Sequence, residues 1–141
     1  RAGFATQAGA LSREDGMELR DCFITAALRC APPQNKPAPR ELQNCFSYLV
    51  REFAALENMQ VVVGLGAIGT KAAIDVLKGN GYTIEPQPWR FGHGVEMRAR
   101  KGRRAITVIA SFHPSRQNTN TGKLTAKMFD SIFTRANALL R

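Results

Sequence analysis

No apolar run in this chain approaches the roughly 20 residues that a membrane-spanning helix needs, which excludes a transmembrane segment. The amino terminus, Arg1-Ala2-Gly3-Phe4-Ala5, has neither an initiator Met nor the long apolar stretch of a secretory signal, so it reads as the interior of something longer. Cysteine is scarce. The three that occur, Cys22, Cys30 and Cys45, are an odd number without the spacing of a disulfide framework, which favours a reducing, cytoplasmic setting. Acidic residues are also short, 11 Asp and Glu against 20 Lys and Arg, and the formal charge of +9 favours a polyanionic partner without choosing between nucleic acid and membrane surface. Internal repeats and low-complexity tracts are missing as well.

What remains is a chain of 141 residues, 44% apolar, enough for one domain over residues 1–141 with its own core. A polar turn at residues 11–16 leads to a short buried strand expected around residues 22–28. The prolines of Cys30-Ala31-Pro32-Pro33-Gln34-Asn35-Lys36-Pro37-Ala38-Pro39 then forbid regular structure and stiffen the loop. From Arg40 to about Asn58, Leu42, Cys45, Phe46, Leu49, Val50, Phe53 and Ala54 recur at helical spacing, with Pro39 suited to the helix start. A buried strand is expected over residues 60–65, a helix over 70–78 closed by Gly79-Asn80-Gly81, and a shorter strand over 82–85. Residues 93–99 and 104–112 flank Arg100-Lys101-Gly102-Arg103 as in a hairpin with a basic turn. Strands alternating with helices predict a three-layer α/β/α sandwich with a central, mostly parallel sheet.

The densest chemistry lies in Ser111-Phe112-His113-Pro114-Ser115-Arg116-Gln117-Asn118-Thr119-Asn120-Thr121-Gly122-Lys123-Leu124-Thr125. It follows the apolar run Ile106-Thr107-Val108-Ile109-Ala110 and precedes a helical pattern of Met128, Phe129, Ile132, Phe133, Ala136 and Leu139. A polar loop at the carboxyl end of a strand is where open α/β sheets bind ligands. A second motif competes with it. Gly64-Leu65-Gly66-Ala67-Ile68-Gly69 matches G-x-G-x-x-G between a strand and a helix, and Glu85 sits where a ribose-binding acid would belong. The alternative reading is a tight turn needing small residues for packing. It is the better supported, because the strand before Pro86-Gln87-Pro88-Trp89 leaves little room for a continuing βαβ unit.

Ile24-Thr25-Ala26-Ala27-Leu28-Arg29-Cys30-Ala31-Pro32-Pro33-Gln34-Asn35-Lys36-Pro37, the strand at residues 61–66, Phe91-Gly92-His93-Gly94 and the 111–125 loop together resemble the uracil-DNA glycosylase superfamily. The match is best to its family 5, iron-sulfur-containing branch. The resemblance runs over nearly the whole chain and implies the same three-layer fold. It also implies that the family's first motif, which handles the attacking water, and two of the four cluster cysteines lie upstream of Arg1. A chain without those strands would expose a sheet edge, so poor autonomous stability is expected.

By the same resemblance, His113 would donate a hydrogen bond to uracil O2 as the base leaves, and Asn35 would assist catalysis by orienting water or the sugar. Pro114 and Ser115 would shape the turn and meet a DNA phosphate, while Arg116, Gln117 and Lys123 would approach the duplex. Asn118 would either bond the loop to itself or meet the DNA backbone. Arg100, Lys101, Arg103 and Arg104 are a further candidate phosphate-facing set, although each one singly fits an ordinary solvated charge. Ala26 departs from the related family 4 enzymes, which usually place there an Asn that reads the uracil edge; discrimination then falls to pocket shape, implying tolerance of hypoxanthine. Cys30 and Cys45 match two ligands of a [4Fe–4S] cluster, and Cys22 matches none.

The implied function is a monofunctional uracil-DNA glycosylase, a hydrolase of base excision repair. It would act as a cytoplasmic, nucleoid-associated monomer on DNA containing deaminated bases, with no membrane partner. The alternatives are a non-catalytic DNA-binding remnant and a nucleotide-cofactor oxidoreductase using Gly64, Gly66, Gly69 and Glu85.

Overall fold

The computed structural model describes residues 2–32 and 37–141. Helix α1, Pro39–Ala55, begins with proline at its first position, and the Glu41 carboxylate accepts the Ala38 N–H at 2.7 Å. Its inward face carries the buried Cys45 and Leu49. Strand β1, Val61–Leu65, passes without a loop into α2, Gly66–Gly79, which starts four residues earlier than the periodicity predicts. Strand β2, Thr83–Glu85, and the hairpin of β3, Glu96–Lys101, with β4, Arg104–Ser111, complete the sheet. A short α3, Arg116–Asn120, and a long α4, Ala126–Leu139, close the chain. No helix among the described residues is long and apolar enough to cross a membrane.

The strands lie in the order β1-β4-β3-β2. β1 runs parallel to β4, with Val63 beside Ile109 and Leu65 beside Ser111, whereas β3 pairs antiparallel with both β4 and β2. The expected three-layer α/β/α class is present. Parallel pairing among the described strands is confined to β1 and β4, a smaller share than the alternation of elements suggests. The tight turn at Gly102-Arg103 forces β3 to return beside β4 in the opposite sense.

Alternation along β4 assigns its two faces. Ile106, Val108 and Ala110 pack with Ile74 and Leu77 of α2 and with Ile84, Met97 and Ala99, and Phe53 and Trp89 lie against this cluster. On the other face, Ile109 meets Ile132 and Ala136 of α4, flanked by Val61, Val63 and Leu139. Each wholly buried aliphatic side chain here contributes about 1.5–3 kcal/mol of transfer free energy. Arg135 of α4 also donates to both Glu96 carboxylate oxygens, at 2.7 and 3.0 Å, and these bonds hold that carboxyl below the usual glutamate range.

Residues 22–28 do not form the expected strand. Phe23 and Ile24 are 55% and 71% exposed, and side-chain bonds tie the segment to α1 where a neighbouring strand might have paired with it. The Glu52 carboxylate accepts from Thr25 Oγ1 and pairs with Arg29, whose guanidinium lies 5.0 Å from the Tyr48 ring centroid. Further upstream, Asn137 Nδ2 donates to the Ala2 carbonyl at 2.6 Å and Phe4 meets Phe133 edge-on, fastening the first residues to α4.

The passage from β1 to α2 depends on a missing Cβ. A methyl built on Gly64 would lie 2.6 Å from both Cα and Oγ1 of Thr70, and the Thr70 hydroxyl meanwhile reaches the carbonyls of Gly64 and Gly66 at 3.1 and 2.9 Å. Because one of those atoms is helix backbone, relief requires moving α2 itself. Gly64→Ala is therefore expected to cost about 3 kcal/mol in urea unfolding; a loss below 1 kcal/mol would mean that the helix shifts freely.

Candidate active site at the carboxyl end of the central strand

β4 ends at Ser111, wholly buried, and the next residues turn out of the sheet. Phe112 is half-buried, while His113 and Pro114 are exposed. The Phe112 ring is held between neighbours, with the His93 ring 5.2 Å and the Phe91 ring 6.1 Å away by centroid, and Lys123 Nζ 5.1 Å from its centre. Lys123 thus has an aromatic partner as well as a place beside the loop.

Hydrogen bonds close the loop on itself. The His113 carbonyl accepts from the Ser115 N–H at 2.8 Å and from Asn118 Nδ2 at 2.9 Å. Ser115 caps α3, its hydroxyl oxygen accepting the Asn118 N–H at 3.3 Å, a satisfied helix start of the usual kind. The Asn118 carbonyl in turn accepts the N–H of the buried Leu124 at 3.0 Å. Asn118 is therefore the internal tie of the loop, one of the two roles the sequence left open. α3, which the polar sequence gave no period to reveal, presents Arg116 and Gln117 outward.

The loop after β1 meets the loop after β4. Gly66 has φ +76°, and a Cβ added there would come within 3.1 Å of His113 Cβ. His113 therefore sits on a bare stretch of backbone, and its ring makes no hydrogen bond among the described residues. An exposed imidazole with both nitrogens open is available to a ligand.

Other expected site residues lie elsewhere. Ala26 is exposed on the irregular segment beside α1. Asn35 lies outside the described residues. Cys45 is buried in α1 and Cys30 is exposed, but the Arg29 N–H donates to Cys45 Sγ at 3.5 Å, which brings the neighbour of Cys30 against Cys45. Cys30 is thus the residue next to one whose N–H meets the Cys45 sulfur, and a four-iron cluster requires four thiolates. Among the described residues no group of three or more His, Cys, Asp and Glu side chains could hold a metal. Burial raises the Cys22 thiol above its ordinary pKa, which disfavours the thiolate form a ligand needs.

The basic hairpin does not join the loop. Arg104 begins β4 and Ser111 ends it, so seven steps of about 3.3 Å put roughly 23 Å between them. Three of the hairpin's cations have structural partners: Lys101 Nζ donates to the Asn80 carbonyl at 2.8 Å, Arg104 to the carbonyls of Leu56 and Glu57 just past α1, and Arg100 pairs with Glu85 at 3.4 Å. The carbonyls at a helix carboxyl end welcome a cation.

The dinucleotide alternative is not favoured by the same topology. The neighbour of β1 is β4, whereas Glu85 lies on β2 at the opposite edge of the sheet, in an ion pair. Gly64 lacks a Cβ because Thr70 packs directly against its backbone. The glycines form a packing turn.

Comparison with known proteins shows the family to which the fold belongs. The family described as "Uracil DNA glycosylase superfamily" matches residues 2–137. A Type-5 uracil-DNA glycosylase of Thermus thermophilus is 38% identical over 138 residues, 98% of this chain and 59% of that protein. Its counterpart in Pyrobaculum aerophilum is 37% identical over 136 residues, covering 96% and 55% respectively. The Type-5 enzyme of Mycobacterium tuberculosis is 36% identical over 140 residues, covering 99% and 50%. The chain spans about half to three-fifths of the length of these relatives.

The contact between the two loops has a measurable consequence. Gly66→Ala is expected to cost about 1–2 kcal/mol for its left-handed backbone and to shift the His113 ring resonances in NMR. Gly122→Ala, at φ +72° with open space around its Cβ, should show the strain alone and leave His113 unmoved.

Proposed function

Because the chain belongs to the uracil-DNA glycosylase superfamily, we propose that it hydrolyses the N-glycosidic bond of uracil in DNA, the opening step of base excision repair. The observation that supports this most is the exposed His113 imidazole, unpartnered among the described residues, on a self-bonded loop at the end of β4. The substrate nucleotide must leave the base stack before the bond can be reached. Its C1′–N1 bond then lengthens, water adds at C1′, and the base departs as an anion that takes up a proton. A neutral imidazole N–H aimed at uracil O2 stabilises that anion without giving up its proton.

The remaining residues divide between holding DNA and shaping the loop. Arg116 and Gln117 project from α3 toward the strand, Lys123 adds charge beside Phe112, and Pro114 and Ser115 set the turn through which a phosphate is met. Asn118 acts from behind by fixing His113. Asn35 would orient water or sugar from the proline-rich loop. The chain works as a single domain and a monomer, cytoplasmic and associated with the nucleoid, with DNA as its partner.

Cys30 and Cys45 fit as two thiolates of a [4Fe–4S] cluster whose other ligands come from outside this pair. When bound, such a cluster supplies a covalent staple between the 30s loop and α1. Arg29 prepares that site by donating its N–H to Cys45 sulfur. Reconstitution with iron and sulfide of the chain extended upstream of Arg1 should give visible cluster absorbance that Cys30→Ser or Cys45→Ser removes and Cys22→Ser retains; equal loss in all three would argue against the assignment.

Single-turnover excision from labelled duplexes tests the glycosylase reading. His113→Ala should lower the uracil rate by about 10²–10³-fold with little change in duplex affinity. Duplex binding without excision by the unaltered chain would sink the catalytic reading. If Ala26 leaves the base edge unread, duplexes containing hypoxanthine should also be cut, and complete inertness toward them would overturn that specificity.

A further inference from the structure

His93 has no part in the reading so far, yet three segments converge on its ring. Nδ1 accepts the Phe112 N–H at 3.2 Å and lies 3.5 Å from the Ser111 hydroxyl. Nε2 lies 3.2 Å from the Met128 carbonyl in the first turn of α4. The ring packs on Phe112, and the Gly94 N–H next to it donates to the Ala110 carbonyl at 2.8 Å.

These partners select one form of the ring. A backbone amide can only donate, so Nδ1 must be bare; a carbonyl can only accept, so Nε2 must carry the proton. His93 is thus held as the neutral Nε2–H tautomer by its two backbone neighbours. The position of those neighbours matters as much as their chemistry. β4 pairs with β1 as far as Ser111, opposite Leu65, and Phe112 is the first residue beyond that register. Its N–H would otherwise lack the sheet as an acceptor, and His93 supplies one. The next residue along the chain is His113.

From this geometry we propose that His93 is a positioning residue for His113, fixing the Phe112 peptide plane between β4 and α4 so that the following imidazole points at the departing base. This rests on the glycosylase reading of His113. A tilt of that plane is carried directly into the His113 Cα, and a misplacement of about 1 Å at a reacting group can cost on the order of 10²-fold in rate. Packing alone would need only a ring of this size. The two directional bonds go beyond it.

The experiment separates shape from hydrogen bonding. His93→Phe keeps a ring against Phe112 and deletes both bonds; the single-turnover excision rate should fall by about ten- to a hundredfold while duplex affinity stays within about twofold. His93→Asn places an amide oxygen near the site of Nδ1, retains an acceptor for the Phe112 N–H and should restore most of that rate. A merely structural role would lower the melting temperature in both variants and leave the rate at saturating DNA, below that temperature, unchanged.

Nitrogen-15 NMR of the unaltered chain gives a readout independent of catalysis. His93 should show a protonated Nε2 and a bare Nδ1, and His93→Phe should move the Phe112 amide and His113 ring signals. The opposite tautomer, or unmoved His113 signals, would overturn the proposal even if the chain excises nothing. A wild-type rate in folded His93→Phe would overturn it on the enzymatic side. Should His93→Phe fail to fold, the ring tautomer of the unaltered chain still decides the matter.

Discussion

With no loop between β1 and α2, the placement of the helix depends on how closely Thr70 can approach Gly64. The strand backbone and the helix backbone touch where any side chain would intervene, and the Thr70 hydroxyl then reaches two carbonyls at the turn. That contact aims α2 across β4, so that Ile74 and Leu77 land on Ile106, Val108 and Ala110. It also leaves Gly66 bare at the rim, where His113 comes to rest. One close approach thus connects the core to the candidate chemistry.

The two ends of β4 have opposite electrostatic uses. At its start, Lys101 and Arg104 neutralise carbonyls at the ends of α2 and α1, and Arg100 faces an acid. At its finish, Arg116 projects outward and Lys123 rests on an aromatic ring. A formal charge of +9 therefore overstates the cations free to meet a polyanion. Part of that charge replaces the capping that α1 lacks, since its last turn has no basic residue of its own.

Elements whose pattern is local were legible in the sequence. The apolar spacing from Leu42 to Ala54 marks α1, and Arg100-Lys101-Gly102-Arg103 marks the hairpin, because each depends on neighbours within a few residues. The apolar run at residues 22–28 has no such internal evidence: a strand exists only through a partner, and this stretch is bound through Thr25 to Glu52 of a helix, with the following Arg29 on Tyr48. The glycine motif illustrates the same limit. Its spacing suits either a cofactor or a packed turn, and strand order, a tertiary property, separates them. Within the site, His113 and its loop were visible as a motif. α3 was hidden by its brevity and His93 by its distance along the chain, for nothing in Phe91-Gly92-His93-Gly94 announces that Phe112 and Met128 will close around the ring.

Trp89 is the only tryptophan of the chain, and it lies against the cluster that joins α2 to the sheet. Its emission consequently watches that half of the molecule alone. The segment before α1, with Phe23 and Ile24 in solvent, could come loose from Tyr48 and Glu52 without dimming or reddening this fluorophore. A melting curve followed by fluorescence will trace the sheet, whereas the behaviour of the cysteine loop needs a reporter attached there.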